Sequence, residues 1–212
     1  MTTGDDLTAG NHGLLLTDLY QLNMMQAYLD SGCTGRATFE FFVRKLPRSR
    51  NFLIAAGLEP LVGFLQSARF APDELTWLRE TGRFRDEFID YLSELRFDAD
   101  LDAVREGTAV FANEPILRIT APLPLAQLIE TRLINLMQIS CLVASKAARM
   151  VFAAPGDARL VDFGLRRAHG GEAGLLAARA AYIAGFAATA TVPAARLWNI
   201  PILGTMAHAY IE

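Results

Sequence analysis

Residues 159–205 read RLVDFGLRRAHGGEAGLLAARAAYIAGFAATATVPAARLWNIPILGT. A short apolar run, "RLVDFG", leads into a helical stretch, "GGEAGLLAARAAYIAG". The run "FAATATV" follows, then a short helix, "PAARLWN", and a last strand-like run, "IPILGT". Strand and helix alternating at this spacing predict parallel βαβ units. Two or three such units cannot close a barrel, which needs about eight strands. The stretch therefore reads as the opening of something larger.

Upstream of the loop "APGDA" (154–158) the rhythm is different, and a boundary is expected there. "TDLYQLNMMQAYLDSG" (17–32) predicts a helix. Thr17 or Asp18 is placed to cap it, with Gln21 in capping-box position and Gly32 at its end. Leu19, Leu22, Met25 and Leu29 form its apolar stripe. "RATFEFFVRKLP" alternates, placing Ala37, Phe39, Phe41 and Val43 on one strand face. "NFLIAAGLEPLVGFLQ" (51–66) is read as helix throughout. Pro72-Asp73-Glu74 starts another, because proline and acids suit a helix's first turn. Phe84, Phe88, Tyr91, Leu92 and Leu95 mark a fourth. Two short strands, 108–111 and 116–120, precede the longest helical region, 122–151, which is apolar nearly all round and is expected to be deeply buried, in one or two pieces.

Composition narrows the function classes. Apolar residues make up 52% of the 212 and charged residues 20%, which describes a folded globular chain. A net charge of −3 leaves no electrostatic footprint for nucleic acid or an anionic membrane surface. The polar, acidic start MTTGDDLTAGNHG is unlike a signal peptide. The longest uncharged stretch, 180–195, is too short to span a bilayer and contains Pro193. Cys33 and Cys141 lie far apart, outside any C-x-x-C motif, and read as reduced thiols of a cytoplasmic protein.

Few motifs stand out. There is no P-loop, nucleophile elbow or dinucleotide fingerprint, and His12, His169 and His208 show no metal-ligand spacing. "VDFGLRRAHGG" sits where a strand passes into a helix, the place where α/β folds gather ligands. Arg166 and Arg167 offer planar donors suited to phosphate or carboxylate, and Phe163 offers a face for a flat ring. Each also has a plainer reading: solvated arginines and a core phenylalanine. His208, after "IPILGT", reads equally well as an ordinary hydrogen-bonded histidine, and Asp18 and Tyr20 as cap and packing. Lys146 and Arg149 share a helix face that is either solvated or turned to phosphate.

Taken in order, these stretches resemble nicotinate phosphoribosyltransferase. The resemblance runs through "LLTDLYQLNMMQAYLDSG", "ATFEFFVRKLP", "NFLIAAGLE", "NEPILRITAPLPLAQLIETRLINLMQ", "SKAARMV", "VDFGLRRAHG", "AARAAYIAGFAATATV" and "IPILGTMAH", about residues 14–212. It implies an α/β fold: a polar leader at 1–13, an N-terminal α/β domain at 14–154, and at 155–212 the first βα units of an incomplete type II phosphoribosyltransferase barrel. It implies formation of nicotinate mononucleotide from nicotinate and phosphoribosyl pyrophosphate in NAD salvage, with Mg²⁺ and coupled ATP hydrolysis, in a cytoplasmic homodimer. By resemblance Tyr20 is one aromatic wall for nicotinate, lent by the neighbouring subunit, and Phe163 is the other. Arg166 helps hold ligand, Thr205 contacts nicotinate, Asp18 belongs to the binding set, and His208 takes a phosphoryl group from ATP.

The sequence departs from the family in three places. Members run to roughly twice this length, so activity is expected to need a C-terminal half, supplied by a partner chain. A catalytically inert binding or dimerisation module is the alternative, and a quinolinate- or nicotinamide-type transferase a further one. Ala187-Ala188 stands where a small residue and glycine are usual before Thr189, which matters if that backbone adopts positive φ or approaches ligand. Ala209 replaces a serine. An unclosed barrel also exposes a strand edge and an apolar face, so self-association, pairing with a partner, or poor stability is expected of the isolated chain.

Overall fold

The computed structural model describes residues 13–210. The polar leader before Gly13, including His12, lies outside the described residues. In chain order the elements are α1 (Leu19–Asp30), β1 (Arg36–Phe41), β2 (Leu53–Ile54), α2 (Leu58–Ser67), α3 (Pro72–Glu80) and α4 (Asp86–Glu94). Then come β3 (Asp100–Ala103), β4 (Ala109–Val110), β5 (Leu117–Pro122), α5 (Leu123–Ala153), β6 (Val161–Asp162), α6 (Gly171–Ile183), β7 (Ala188–Thr189) and α7 (Val192–Trp198). This is a mixed α/β chain. It divides into two compact units: residues up to 43, 58–104 and 114–136 in the first, and 44–57, 105–113 and 137 onward in the second.

In the first unit β5 is the central strand of an antiparallel sheet ordered β1-β5-β3. Its sequence, LRITAP, alternates, so Leu117, Ile119 and Ala121 point into the core while Arg118 and Thr120 point away. Burying Leu117 and Ile119 contributes about 1.5–3 kcal/mol each. On the opposite face Arg118 donates two hydrogen bonds to Glu40, and the Thr38 and Thr120 hydroxyls meet at 2.9 Å. β1 follows the expected alternation, with Ala37, Phe39 and Phe41 turned inward.

The second unit holds β2 paired with β4, and the parallel pair β6-β7, to which Ile202 adds a parallel bridge through Thr189. Helices α6 and α7 connect these parallel strands, confirming the alternation read from 159–205. The core gathers Ile54 with the small residues Ala56, Ala144, Ala148 and Ala180, and Phe52 and Ile183 pack against them. A bidentate ion pair, Arg179 to Glu106 at 2.6 and 2.7 Å, is buried here. Glu106 also accepts the Gly57 N–H at 2.6 Å, and the Arg179 guanidinium lies 5.7 Å from the Trp198 ring centre.

Helix α5 contributes its first half to one unit and its second half to the other. Its 31 residues make one unbroken helix of about 46 Å. Pro124 falls in its first turn, where no N–H partner is needed, and Pro155 follows its end. In length and composition α5 would suffice to cross a membrane. Its buried polar groups show instead a core helix: Ser145 Oγ accepts the Ile54 N–H at 2.8 Å, and Arg132 donates to Asn135 at 2.7 Å.

The structure corrects three local expectations. Leu53–Ile54 is a strand rather than the start of a helix, because Val110 and Ala109 offer it a ladder. Gly57, at φ 104, then turns the chain before α2 begins. The acidic strand β3, DLDA, was not expected and exists because β5 gives it a partner. The capping box of α1 does not form: Asp18 makes no side-chain cap, Leu19 is exposed, and the buried face is Gln21, Leu22 and Met25.

Candidate functional site

Asp18 and Tyr20 lie together at the start of α1, in the first unit, on a polar network anchored to α5. Gln21 is fully buried and donates to the Tyr20 hydroxyl at 2.7 Å, to Glu130 at 3.0 Å and to the Thr131 hydroxyl at 3.2 Å. Gln127 bonds to both Gln21 and Glu130, and the Thr131 hydroxyl donates to Asp18 at 3.0 Å. The network fixes the Tyr20 hydroxyl while leaving the residue 47% exposed, with a free aromatic face. Sequence reasoning named Asp18 and Tyr20 but not the amides and carboxylate that hold them.

Phe163, Arg166, Thr205 and His208 form a second group, within the second unit. Phe163 follows the end of β6, and Arg166 sits in the short 3-10 turn Leu165–Arg167 before α6. Thr205 lies just beyond the strand-like segment that bridges to β7: Thr189 N–H donates to the Pro201 carbonyl and Leu203 N–H to the Thr189 carbonyl. His208 opens a further 3-10 turn, His208–Tyr210. Phe163, Arg166 and Thr205 thus follow the C-terminal ends of three parallel segments, the edge where α/β sheets bind ligands, and His208 comes three residues after Thr205. With adjacent strands about 4.8 Å apart, the outer segments are about 10 Å from one another, a span suited to one aromatic ring and its substituents. All four are exposed, Phe163 by 47%. The edge presents an aromatic face, a guanidinium, a hydroxyl and an imidazole, which suits a flat anion.

Beneath that edge lies a set the sequence reading did not single out. Asp162 accepts the Gly164 N–H at 3.0 Å, the Thr189 hydroxyl at 2.7 Å and the Thr191 hydroxyl at 3.4 Å. A usable signal was present: short polar side chains ending two successive apolar strands, in "VDFG" and "ATATV".

The remaining candidates take plainer roles. Arg149 donates to the Ser145 and Phe52 carbonyls and stacks on Phe52, while Lys146 is exposed. Arg167 and His169 are exposed beside Arg166. Cys33 is exposed and Cys141 buried; burial pushes the Cys141 thiol up to about 11. A cleft of about 880 Å³ in the first unit, lined by Leu65, Arg69, Phe70 and Arg96, contains none of the candidate residues. Ala188 is buried in β7, and the described non-glycine residues with positive φ are Asn113 and Asn199, so the alanine departure carries no strain of that kind.

Known proteins match this chain over most of its length. Residues 15–138 match the family described as nicotinate phosphoribosyltransferase (NAPRTase) N-terminal domain. The chain is 47% identical over 200 residues to nicotinate phosphoribosyltransferase pncB2 of Mycobacterium tuberculosis, covering 94% of this chain and 43% of that protein. It is 43% identical over 199 residues to nicotinate phosphoribosyltransferase of Bacillus subtilis, covering 93% of this chain and 40% of the relative. The crystal structure of human nicotinic acid phosphoribosyltransferase superposes with a TM-score of 0.85 at 36% identity, over 92% of this chain and 40% of the human one. The chain therefore spans less than half the length of these relatives. On these matches, the chain belongs to the nicotinate phosphoribosyltransferase family.

Proposed function

We propose that this chain supplies the nicotinate-facing part of an enzyme that forms nicotinate mononucleotide from nicotinate and phosphoribosyl pyrophosphate, in NAD salvage in the cytoplasm. The observation that carries the reading is that Phe163, Arg166 and Thr205 follow the C-terminal ends of parallel segments, with His208 three residues after Thr205. Phe163 stacks on the pyridine ring, Arg166 and Thr205 donate to the carboxylate, and Tyr20, lent by the other subunit of a homodimer, forms the second wall. Pyrophosphate leaves C1 of the ribose through a transition state with positive charge on the sugar. Holding the ring nitrogen in line with C1 is the chief contribution of these residues.

ATP coupling runs through His208. Its neutral imidazole nitrogen attacks the terminal phosphorus, the N–P bond forms, the bond to ADP breaks, and the phosphohistidine couples ATP use to substrate binding. Mg²⁺ takes hard oxygen ligands. Among the described residues no group of three acidic, histidine or cysteine side chains gathers to hold a metal, and both Asp162 oxygens are engaged by protein donors. Mg²⁺ is commonly held by one or two carboxylates together with substrate phosphates, so it would enter with phosphoribosyl pyrophosphate and ATP, and no step here runs through it.

The exposed apolar residues Val192 and Leu197 of α7, with Ile202, Leu203 and Met206 after it, support a need for further barrel strands from a C-terminal half. Saturation-transfer NMR of the full chain with nicotinate, nicotinamide and quinolinate tests the substrate assignment. Nicotinate is expected to give the strongest transfer, lost in Phe163→Ala. A preference for quinolinate or nicotinamide would overturn the substrate, and equal response from Phe163→Ala would overturn the site.

A further inference from the structure

We propose that Asp162 is a positioning residue: its carboxylate clamps the turn carrying Phe163 and Arg166 to the end of β7. The β6-β7 ladder does not need this side chain, since backbone bonds already join the strands. One runs from the Ala190 N–H to the Asp162 carbonyl at 2.8 Å. The carboxylate reaches instead to the points where the two strands leave the sheet. One oxygen accepts the Gly164 N–H, and the other takes the Thr189 and Thr191 hydroxyls. The Thr189 hydroxyl in turn accepts the Thr191 N–H at 3.0 Å, which closes the network.

Two further observations fit a built clamp. Thr189 and Thr191 are 0% and 1% exposed, so their hydroxyls have no competing water. At Gly164 a Cβ would lie 2.9 Å from the Asp162 oxygen, so a side chain there would push the carboxylate off its N–H. No lysine, arginine or histidine pairs with Asp162 among the described residues; its charge is met by neutral donors alone. Phe163 and Arg166, by contrast, are exposed, so their pose is set by the backbone turn beneath them. Whatever holds that turn sets the angle of the ring and the guanidinium. The catalytic meaning of the clamp rests on the proposed nicotinate site; the clamp itself does not.

The test uses the full chain and the trypsin sites that the turn already contains, Arg166 and Arg167. Asp162→Ala is expected to raise native-state cleavage at these sites about tenfold and to speed amide exchange at Gly164 and Thr191, as loss of buried hydrogen bonds implies. The Ala187 N–H, held by the Leu160 carbonyl, is expected to keep its wild-type exchange. Asp162→Asn retains an acceptor for Gly164 and is expected to restore most of the protection. Should Asp162→Ala not fold, Thr189→Val with Thr191→Val removes the hydroxyl donors at constant shape, with the same release expected. Unchanged cleavage and exchange at the turn would overturn the clamp, and so would equal acceleration at Ala187, the mark of general destabilisation. Nicotinate is expected to slow cleavage at Arg166 in the wild type and not in Asp162→Ala. No nicotinate effect on the wild type, with release still seen in the variant, would remove the ligand reading and leave the clamp standing.

Discussion

Tyr20 and Phe163 are equally exposed, yet the two units hold them in different ways. Tyr20 stands on a helix whose neighbours are complete, and a buried amide reaches up to its hydroxyl. Phe163 stands on a turn at the open end of two short parallel strands, and the nearest fixed group is the carboxylate one residue before it. The first unit holds an antiparallel sheet with an apolar face, whereas the second holds a largely buried ion pair beside a small alanine-rich core. A guanidinium taken out of water is costly to leave without its carboxylate, so the second unit is the more sensitive to loss of one charged side chain.

That contrast can be broken most directly at Glu106. Glu106→Ala removes both carboxylate contacts of the buried Arg179 guanidinium and is expected to cost about 3–5 kcal/mol, whereas Glu106→Leu with Arg179→Met recovers much of the loss. The two tryptophans allow the units to be followed separately, since Trp77 belongs to the first and Trp198 to the second. In urea unfolding, the Trp77→Phe chain reports the second unit and is expected to show the loss first. A pH series addresses the same unit. Unfolded, the Cys141 thiol ionises near the ordinary thiol range; folded, burial pushes it up to about 11. Its contribution is therefore fully present below pH 9 and is lost as pH rises through 11, by about 2–3 kcal/mol. Cys141→Ala should flatten that part of the profile.

In the first unit the corresponding change is Gln21→Met. It leaves Glu130 and Gln127 short of a partner and is expected to cost about 1–3 kcal/mol, read in the Trp198→Phe chain. It should also free the Tyr20 ring, visible as sharpened ring resonances. The smallest effect is expected at the sheet surface. Glu40→Ala removes the exposed pair with Arg118 and should change stability by less than about 1 kcal/mol.

The same contrast explains what was legible in the sequence. Elements that carry their own period or punctuation were: the alternation of β1, the Pro72 start of α3, the run of α5 with no glycine and no proline past its first turn, and the strand-helix rhythm after residue 159. Elements that exist only through a distant partner were not. Leu53–Ile54 sits in an apolar run without a period and becomes a strand because Ala109–Val110 pairs with it. Asp100–Ala103 has poor strand residues and is recruited by β5. Asp18 and Gln21 matched a capping box, but α5 offered both side chains better partners.

The candidate site divides likewise. Phe163, Arg166 and His208 stood out from their place after strand-like runs, Thr205 came from the family resemblance, and parallel pairing of β6, β7 and Ile202 is what aligns the segments before Phe163 and Thr205. Asp162 and its two threonines escaped notice because their meeting depends on the register of β6 with β7, and single-residue spacing does not contain that register.

If, as proposed, these residues supply the nicotinate-facing part of a transferase, turnover should depend on the portion that the longer relatives carry beyond the matched region. That dependence is tested by assaying nicotinate mononucleotide formation from nicotinate, phosphoribosyl pyrophosphate and Mg²⁺, with and without ATP. The chain is assayed alone and then mixed with the C-terminal portion of a relative. No turnover is expected from the chain alone, and ATP-stimulated turnover, lost in His208→Ala, once the second half is supplied. Turnover by the chain alone, or none from two folded halves shown to associate, would contradict that dependence.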